Sequence, residues 1–471
     1  MSAHVQPAPL TRRDALCQCA VGFGGMALAS LLAEAEAAPD NPLSPRAPHV
    51  GARAKRVIFL FMKGGPAHMD TFDEKPLLER DHGKPYPYAK PRVQFAPTNN
   101  LFKSPWKFTR RGQCGLPVSE LFPHVGALAD ELCVINSLHG TNAAHGGALL
   151  KLHTGSDNFV RPSLGAWVSY GLGTENQNLP SFLTICPTLA HGGVNNWGSA
   201  FLPAVHQGVP IGNASIPSEQ AQVKFMQPAA SRDVQRLQLD ALAEANREHL
   251  RASGANAALE ARIASFELAF RMQTELPELM DLRGESPATQ KLYGLDDPVA
   301  ANFGRQCLMA RRFCERGVRF VQVTHSDPFV QWDQHGDLIK GHTKNAAEVD
   351  KPIAGLLRDL RSRGLLDETL VVWGGEFGRT PTAQGAADGR DHNPEGFTMW
   401  LAGAGVKPGL RYGATDDYGF FAAENKVHIH DLHATILHLL GLDHTKLTYR
   451  YGGRDFRLTD VHGEVVRGVL A

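Results

Sequence analysis

Arg56–Met62 reads RVIFLFM, and the chain continues Lys63–Asp73 as KGGPAHMDTFD. A nearly unbroken apolar run of seven residues fits a strand buried on both faces. The two glycines after it permit a tight turn, and a histidine and two carboxylates follow at once. Further runs of this kind lie at 132–135, 181–185, 318–323, 369–373 and 397–401. Between several of them apolar residues recur at intervals of three and four: 301–316 (ANFGRQCLMARRFCER), 345–363 and 430–440. Strand alternating with helix predicts an α/β fold, a doubly wound and mostly parallel sheet flanked by helices. Residues 231–282 break the alternation. They are rich in Ala, Leu, Glu and Arg, with Gly254 and then Pro277 as breakers, and read as a two-helix excursion packed on the sheet domain. No internal repeat is evident.

The composition sets limits around this core. The chain has 471 residues, 43% hydrophobic and 20% charged, which excludes a disordered or collagen-like protein. Lys plus Arg and Asp plus Glu number 48 each, so no basic excess points to nucleic acid. The 21 histidines stand out, because imidazole is a metal ligand that titrates near neutrality. At the start, Thr11-Arg12-Arg13-Asp14 precedes a weakly apolar run to Leu32 and an Ala-rich exit containing Ala35-Glu36-Ala37. Paired arginines, modest hydrophobicity and a small-x-small exit predict a twin-arginine export signal over 1–38, read by the twin-arginine translocase. The product would be periplasmic or extracellular. A flexible lead-in over 39–55, one domain over 56–460 and a C-terminal tail over 461–471 complete the expected organisation. No other stretch approaches the roughly 20 apolar residues of a membrane span. Cys114, Cys133, Cys186, Cys307 and Cys314 would remain after cleavage, an odd number without tight spacing. Cys307 and Cys314 read as packing residues, and a single bridge among the others stays open.

In open α/β sheets, ligands bind beyond the carboxyl ends of the strands. Five polar clusters follow predicted strands or precede the next one: 63–73, 139–147 (HGTNAAHGG), 324–336 with Trp332-Asp333-Gln334-His335, 374–380 (GGEFGRT) and 389–394 (GRDHNP). Each alone reads as turn and capping residues. Together at one sheet edge, carboxylates and imidazoles suit a divalent metal, zinc first, with manganese or calcium as alternatives. A second histidine group, His428, His430, His433, His438 and His444, reads as capping and surface residues of a last helix.

The stretches RVIFLFMKGGPAHMDTFDEKP, AAHGGALLKLHTG, PSLGAWVSYGLG, QWDQHGD, VVWGGEFGRTP, GRDHNPEGFTMWLAGAGVKPG and HIHDLHATILHLLGLD, in this order, resemble an exported bacterial family catalogued as a domain of unknown function, DUF1501. The resemblance runs from about Arg56 to about Arg457. That family is grouped with the alkaline-phosphatase-like fold, which also holds sulfatases and cofactor-independent phosphoglycerate mutases. The resemblance implies that Asp70, Asp333, His335, Glu376 and His392 are metal ligands, with Asp73 close to Asp70. It also implies departures. His145 stands where the sulfatase nucleophile would be, without the Cys or Ser followed by Pro and Arg. Phe377 stands where a second metal-binding His would be. The expected activity is metal-dependent hydrolysis of a phosphate or sulfate ester on an anionic substrate, such as a sulfated or phosphorylated glycan. His145 would act as ligand or general acid, Arg379 or Arg390 would steady the anion, and Thr141 or Ser137 could replace the missing hydroxyl. The alternative is an exported binding or structural protein that keeps the fold without catalysis.

Overall fold

The computed structural model describes residues 41–90, 97–224, 226, 230–253, 257–327 and 330–471. The expected export signal and its Arg12-Arg13 pair lie outside the described residues. Among the described residues nine strands form one sheet: β1 (Arg56–Met62), β2 (Leu132–His139), β3 (Phe182–Ile185), β4 (Val209–Ile211), β5 (Phe320–His325), β6 (Thr369–Gly374), β7 (Phe397–Ala402), β8 (Leu410–Tyr412) and β9 (Val427–His428). Their order is β8-β2-β7-β6-β1-β5-β3-β4, with β9 also pairing with β2. Every pairing is parallel except those of β7, which runs against both β2 and β6. The mostly parallel α/β sheet expected from the sequence is therefore present.

β1 sits at the centre because all seven of its residues are buried. Ile58, Leu60 and Met62 face one apolar layer, and Val57, Phe59 and Phe61 face the other. This is the period-two geometry of a strand covered on both sides. The first layer is closed by α4 (Ala257–Met280), α5 (Ala301–Glu315) and α6 (Leu338–Ser362). The second is closed by α1 (His145–Thr154), α2 (Leu164–Leu172) and α7 (Ile429–Leu439). With α4, α3 (Arg232–Ser253) supplies the two-helix excursion. α6 begins seven residues before the periodicity suggests, since its first turns bury the polar His342 and Asn345.

The five described cysteines are free, and Cys307 and Cys314 pack in the α5 core face. The segment read as a lead-in lies on the domain: Arg46 donates to the Tyr170 carbonyl at 2.6 Å, and Leu43 is buried. The residues read as a tail also pack, with Val469 buried and Leu470 bridging Val406. No helix among the described residues is long and apolar enough to cross a membrane.

Candidate metal centre

Four parallel strands end at one edge, and the loops leaving them meet there. After β1, Gly64 adopts φ +108°, and a Cβ on it would lie 2.7 Å from the Asp333 nitrogen. Only glycine lets the loop after β5 lie so close. The Gly64 N–H donates to both carboxylate oxygens of Glu376, at 3.0 and 3.1 Å. After β5, Trp332 is buried and donates Nε1–H to His325 Nδ1 at 3.0 Å, which anchors the residue before Asp333. After β6, Glu376 and Phe377 lead into a hairpin, Gly378–Gln384 paired with Gly389–Asn393, that carries Arg379, Asp391 and His392. After β2, the chain enters α1, whose first residue is His145.

Three imidazoles converge on one carboxylate. His145 Nε2 lies 3.0 Å from Asp333 Oδ2. His392 Nε2 and His335 Nε2 lie 3.0 and 3.1 Å from Asp333 Oδ1, and 3.0 Å from each other. In each case the other ring nitrogen faces an acceptor. His145 Nδ1 is 2.7 Å from Glu376 Oε1, His392 Nδ1 is 2.6 Å from the Ala143 carbonyl, and His335 Nδ1 meets Gln384 Oε1. A carbonyl or carboxylate can only accept, so Nδ1–H donates in all three rings. The neutral tautomer then turns three Nε2 lone pairs toward the oxygens of Asp333. Lone pairs facing lone pairs repel, and a proton or a cation between them removes the repulsion. Metal-bound histidines commonly hold their second N–H on a carboxylate or carbonyl in this manner. His145, Asp333 and His392 offer ligand atoms within 4.8 Å of one another, as do His335, Asp391 and His392. Asp391 Oδ2 is buried without a hydrogen-bond partner among the described residues.

The charges reinforce this arrangement. Burial disfavours ionisation of Asp333, but the Arg379 guanidinium at 2.6 Å, joined by any of the three imidazoles that carries a proton on Nε2, holds its carboxyl far below the usual range. Burial likewise opposes charge on Glu376, and the bond to His145 outweighs it, so its carboxyl also titrates low. Burial pulls His392 down to about 4, leaving the ring neutral. Burial would lower His145 too, but hydrogen bonds to Asp333 and Glu376 prevail and raise it. The hydrogen bond to Asp333 raises His335 as well, so His145 and His335 both hold a proton more readily than a free imidazole.

Other residues expected at the site stand elsewhere. Asp70 is fully buried in a two-pronged ion pair with Arg390, at 2.7 and 3.1 Å, outside the imidazole cluster. Arg390 further donates to the Thr380 carbonyl and lies over the Phe102 ring. Arg379 is buried, with its remaining N–H groups on the carbonyls of Gly64, Gly65, Trp332 and Arg390, so it acts on Asp333 instead of presenting donors to an external anion. Thr141 bonds Asp157 at 3.3 Å, and Ser137 donates to the Asn425 carbonyl. Asp73 is paired with Lys75 and Arg411. Glu376 reaches the cluster through His145. Phe377 stacks on His392, with centroids 4.4 Å apart, and also packs against His145. The second histidine group is less superficial than expected. His430 and His433 are buried, donating to the Gly155 and Leu152 carbonyls at the end of α1, while His428 caps α7. Asp391, Gln384 and the Ala143 carbonyl are contributors the sequence reading did not assign.

Fold and site together define an α/β protein with a carboxylate–imidazole cluster at the carboxyl ends of its central parallel strands. The chain belongs to the family described as protein of unknown function (DUF1501), whose profile matches residues 54–470. No curated protein sequence matches it. Among similar solved structures are the lipoteichoic acid synthase LtaP from Listeria monocytogenes (12% identity, 89% of this chain and 79% of that one, TM-score 0.38) and a protein in the alkaline phosphatase superfamily from Vibrio parahaemolyticus (10%, 85% and 70%, 0.36). The PsFucS1 sulfatase from Pseudoalteromonas sp. is another (14%, 84% and 68%, 0.34).

Proposed function

We propose that this protein is an exported, metal-dependent hydrolase of phosphate or sulfate esters. The observation that carries the reading is the convergence of three imidazole Nε2 atoms on Asp333 with each Nδ1–H already held by an acceptor. A nitrogen-rich donor set of this kind suits zinc, with manganese next, while calcium prefers oxygen alone. His145, Asp333, His392 and His335 would hold the cation, with Asp391 beside them. When bound, such an ion polarises an ester oxygen and makes water a stronger nucleophile at neutral pH. The chain's own residues set the stage. Glu376 orients His145 and holds its Nδ1–H, so that Nε2 is the atom left to bind a cation, Arg379 keeps Asp333 ionised, and Phe377 walls two of the rings. His335, with its side chain 36% exposed, marks the side open to substrate. With Thr141 and Ser137 engaged elsewhere, the reading is direct attack by water, without a covalent enzyme ester. The substrate is an anionic ester, a sulfated or phosphorylated glycan being the class in view. Export through the twin-arginine translocase rests on the Arg12-Arg13 leader.

Metal analysis of the folded protein and a panel of aryl phosphate, phosphodiester and sulfate esters test this together. Stoichiometric metal and turnover lost in Asp333→Asn are expected. A metal-free preparation sinks the reading, and turnover unchanged in that variant assigns the activity to a contaminant. Ligand-induced thermal stabilisation without turnover selects the non-catalytic binding alternative.

A further inference from the structure

Away from the metal cluster, the far end of α1 borders a strip of rings and guanidinium groups. Arg161 lies between two phenylalanines, 5.9 Å from the Phe159 centroid and 5.4 Å from that of Phe456. Phe456 packs on Phe201 at 4.9 Å, and Phe201 stacks on Tyr451 at 5.0 Å with ring planes 15° apart. Both ends of the strip face solvent, Phe159 being 65% and Tyr451 55% exposed. A globular surface rarely leaves flat aromatic faces open in a row beside cations unless something covers them. The cations are in excess: Lys151, Arg161, Arg454 and Arg457 stand against Asp157 and Asp460. Asp460 is shared by Arg161, at 3.0 Å, and Arg454.

Lys151 is a second, independent pointer. It is only 9% exposed, yet its ammonium makes no hydrogen bond or ion pair among the described residues. Burial, then the neighbouring Arg161, lowers its affinity for a proton, while Asp157 and Asp460 favour the charge from a distance. Its carbon stem is buried while the ammonium keeps access to solvent, where it is placed to meet an incoming anion. Guanidinium groups match sulfate-like and carboxylate oxygens with paired N–H donors. The flat exposed rings match the apolar C–H faces of a sugar.

We propose that this strip binds an anionic oligosaccharide, its sugar rings lying on Phe159 and Tyr451 and its acidic substituents on Arg161, Arg454 and Lys151. The surface is separate from the metal cluster and stands whether or not that cluster hydrolyses anything. Native gel electrophoresis of the full chain through gels containing dextran sulfate or neutral dextran tests it. Retardation by dextran sulfate alone is expected, and Phe159→Ser combined with Tyr451→Ser should weaken it about tenfold, both residues being exposed enough to change without unfolding. Lys151→Met should weaken it with no loss of melting temperature. No retardation overturns the proposal. So does equal retardation in the aromatic double variant, which marks plain charge attraction. Retention on anionic phospholipid vesicles with none by dextran sulfate overturns it in favour of a membrane surface.

Discussion

Asp333 receives three imidazoles and one guanidinium on two oxygens, and the neighbouring carboxylates divide the remaining work. Glu376 holds His145 from behind. Removing its charge while keeping its shape, Glu376→Gln, should lower metal affinity about 10–100-fold, read by competition with a chromophoric chelator. An unchanged affinity would show that His145 needs no such support. Asp70 gives the opposite expectation. Asp70→Asn leaves Arg390 buried and unpaired, so it should cost about 3–5 kcal/mol in denaturant unfolding while bound metal is kept. Metal lost with stability intact would return Asp70 to the ligand set. The type of each residue was readable in the sequence, since acids and imidazoles after strands announce a polar edge. The partner was not, because Asp70 and Arg390 lie 320 residues apart and nothing local distinguishes an ion pair from a ligand.

Among the elements, the strands were the most legible, since burial on both faces writes a continuous apolar run such as RVIFLFM. The hairpin 378–393 was the least. GRTPTAQ and GRDHN are polar sequences that are nonetheless buried, because their side chains bond to the site and to one another, so no apolar stripe marks them. That hairpin fits tightly over the strand ends. A Cβ on Gly389 would lie 2.0 Å from the His335 carbonyl group. Gly389→Ala should therefore displace His335, lowering metal occupancy together with about 1–3 kcal/mol of stability. Full metal content in that variant would mean that His335 is dispensable to the cluster. The central strand responds differently. Leu60→Ala should cost about 2–5 kcal/mol without any specific effect on metal binding once the protein is folded, checked by denaturation and metal analysis in parallel.

The whole molecule stores several imidazoles in their neutral form. Burial holds His153 to about 4, and His206 and His433 to about 3. The unfolded chain protonates these groups near pH 6.5 and the folded one does not, so they leave stability unchanged above that value and impose a penalty that grows as pH falls toward the folded values. At pH 5 each site costs about 2 kcal/mol, and the melting temperature should fall clearly between pH 7 and pH 5. His206→Asn should flatten that fall, and identical melting at the two pH values would contradict it. The proposed ligands carry a consequence for biogenesis. His145 follows the second strand of the sheet, Asp333 the fifth, and His392 a hairpin after the sixth, so no short stretch of nascent polypeptide can capture the ion. On the proposed reading, loading waits until the sheet has closed, and the compartment in which that closure happens decides which cation is taken up.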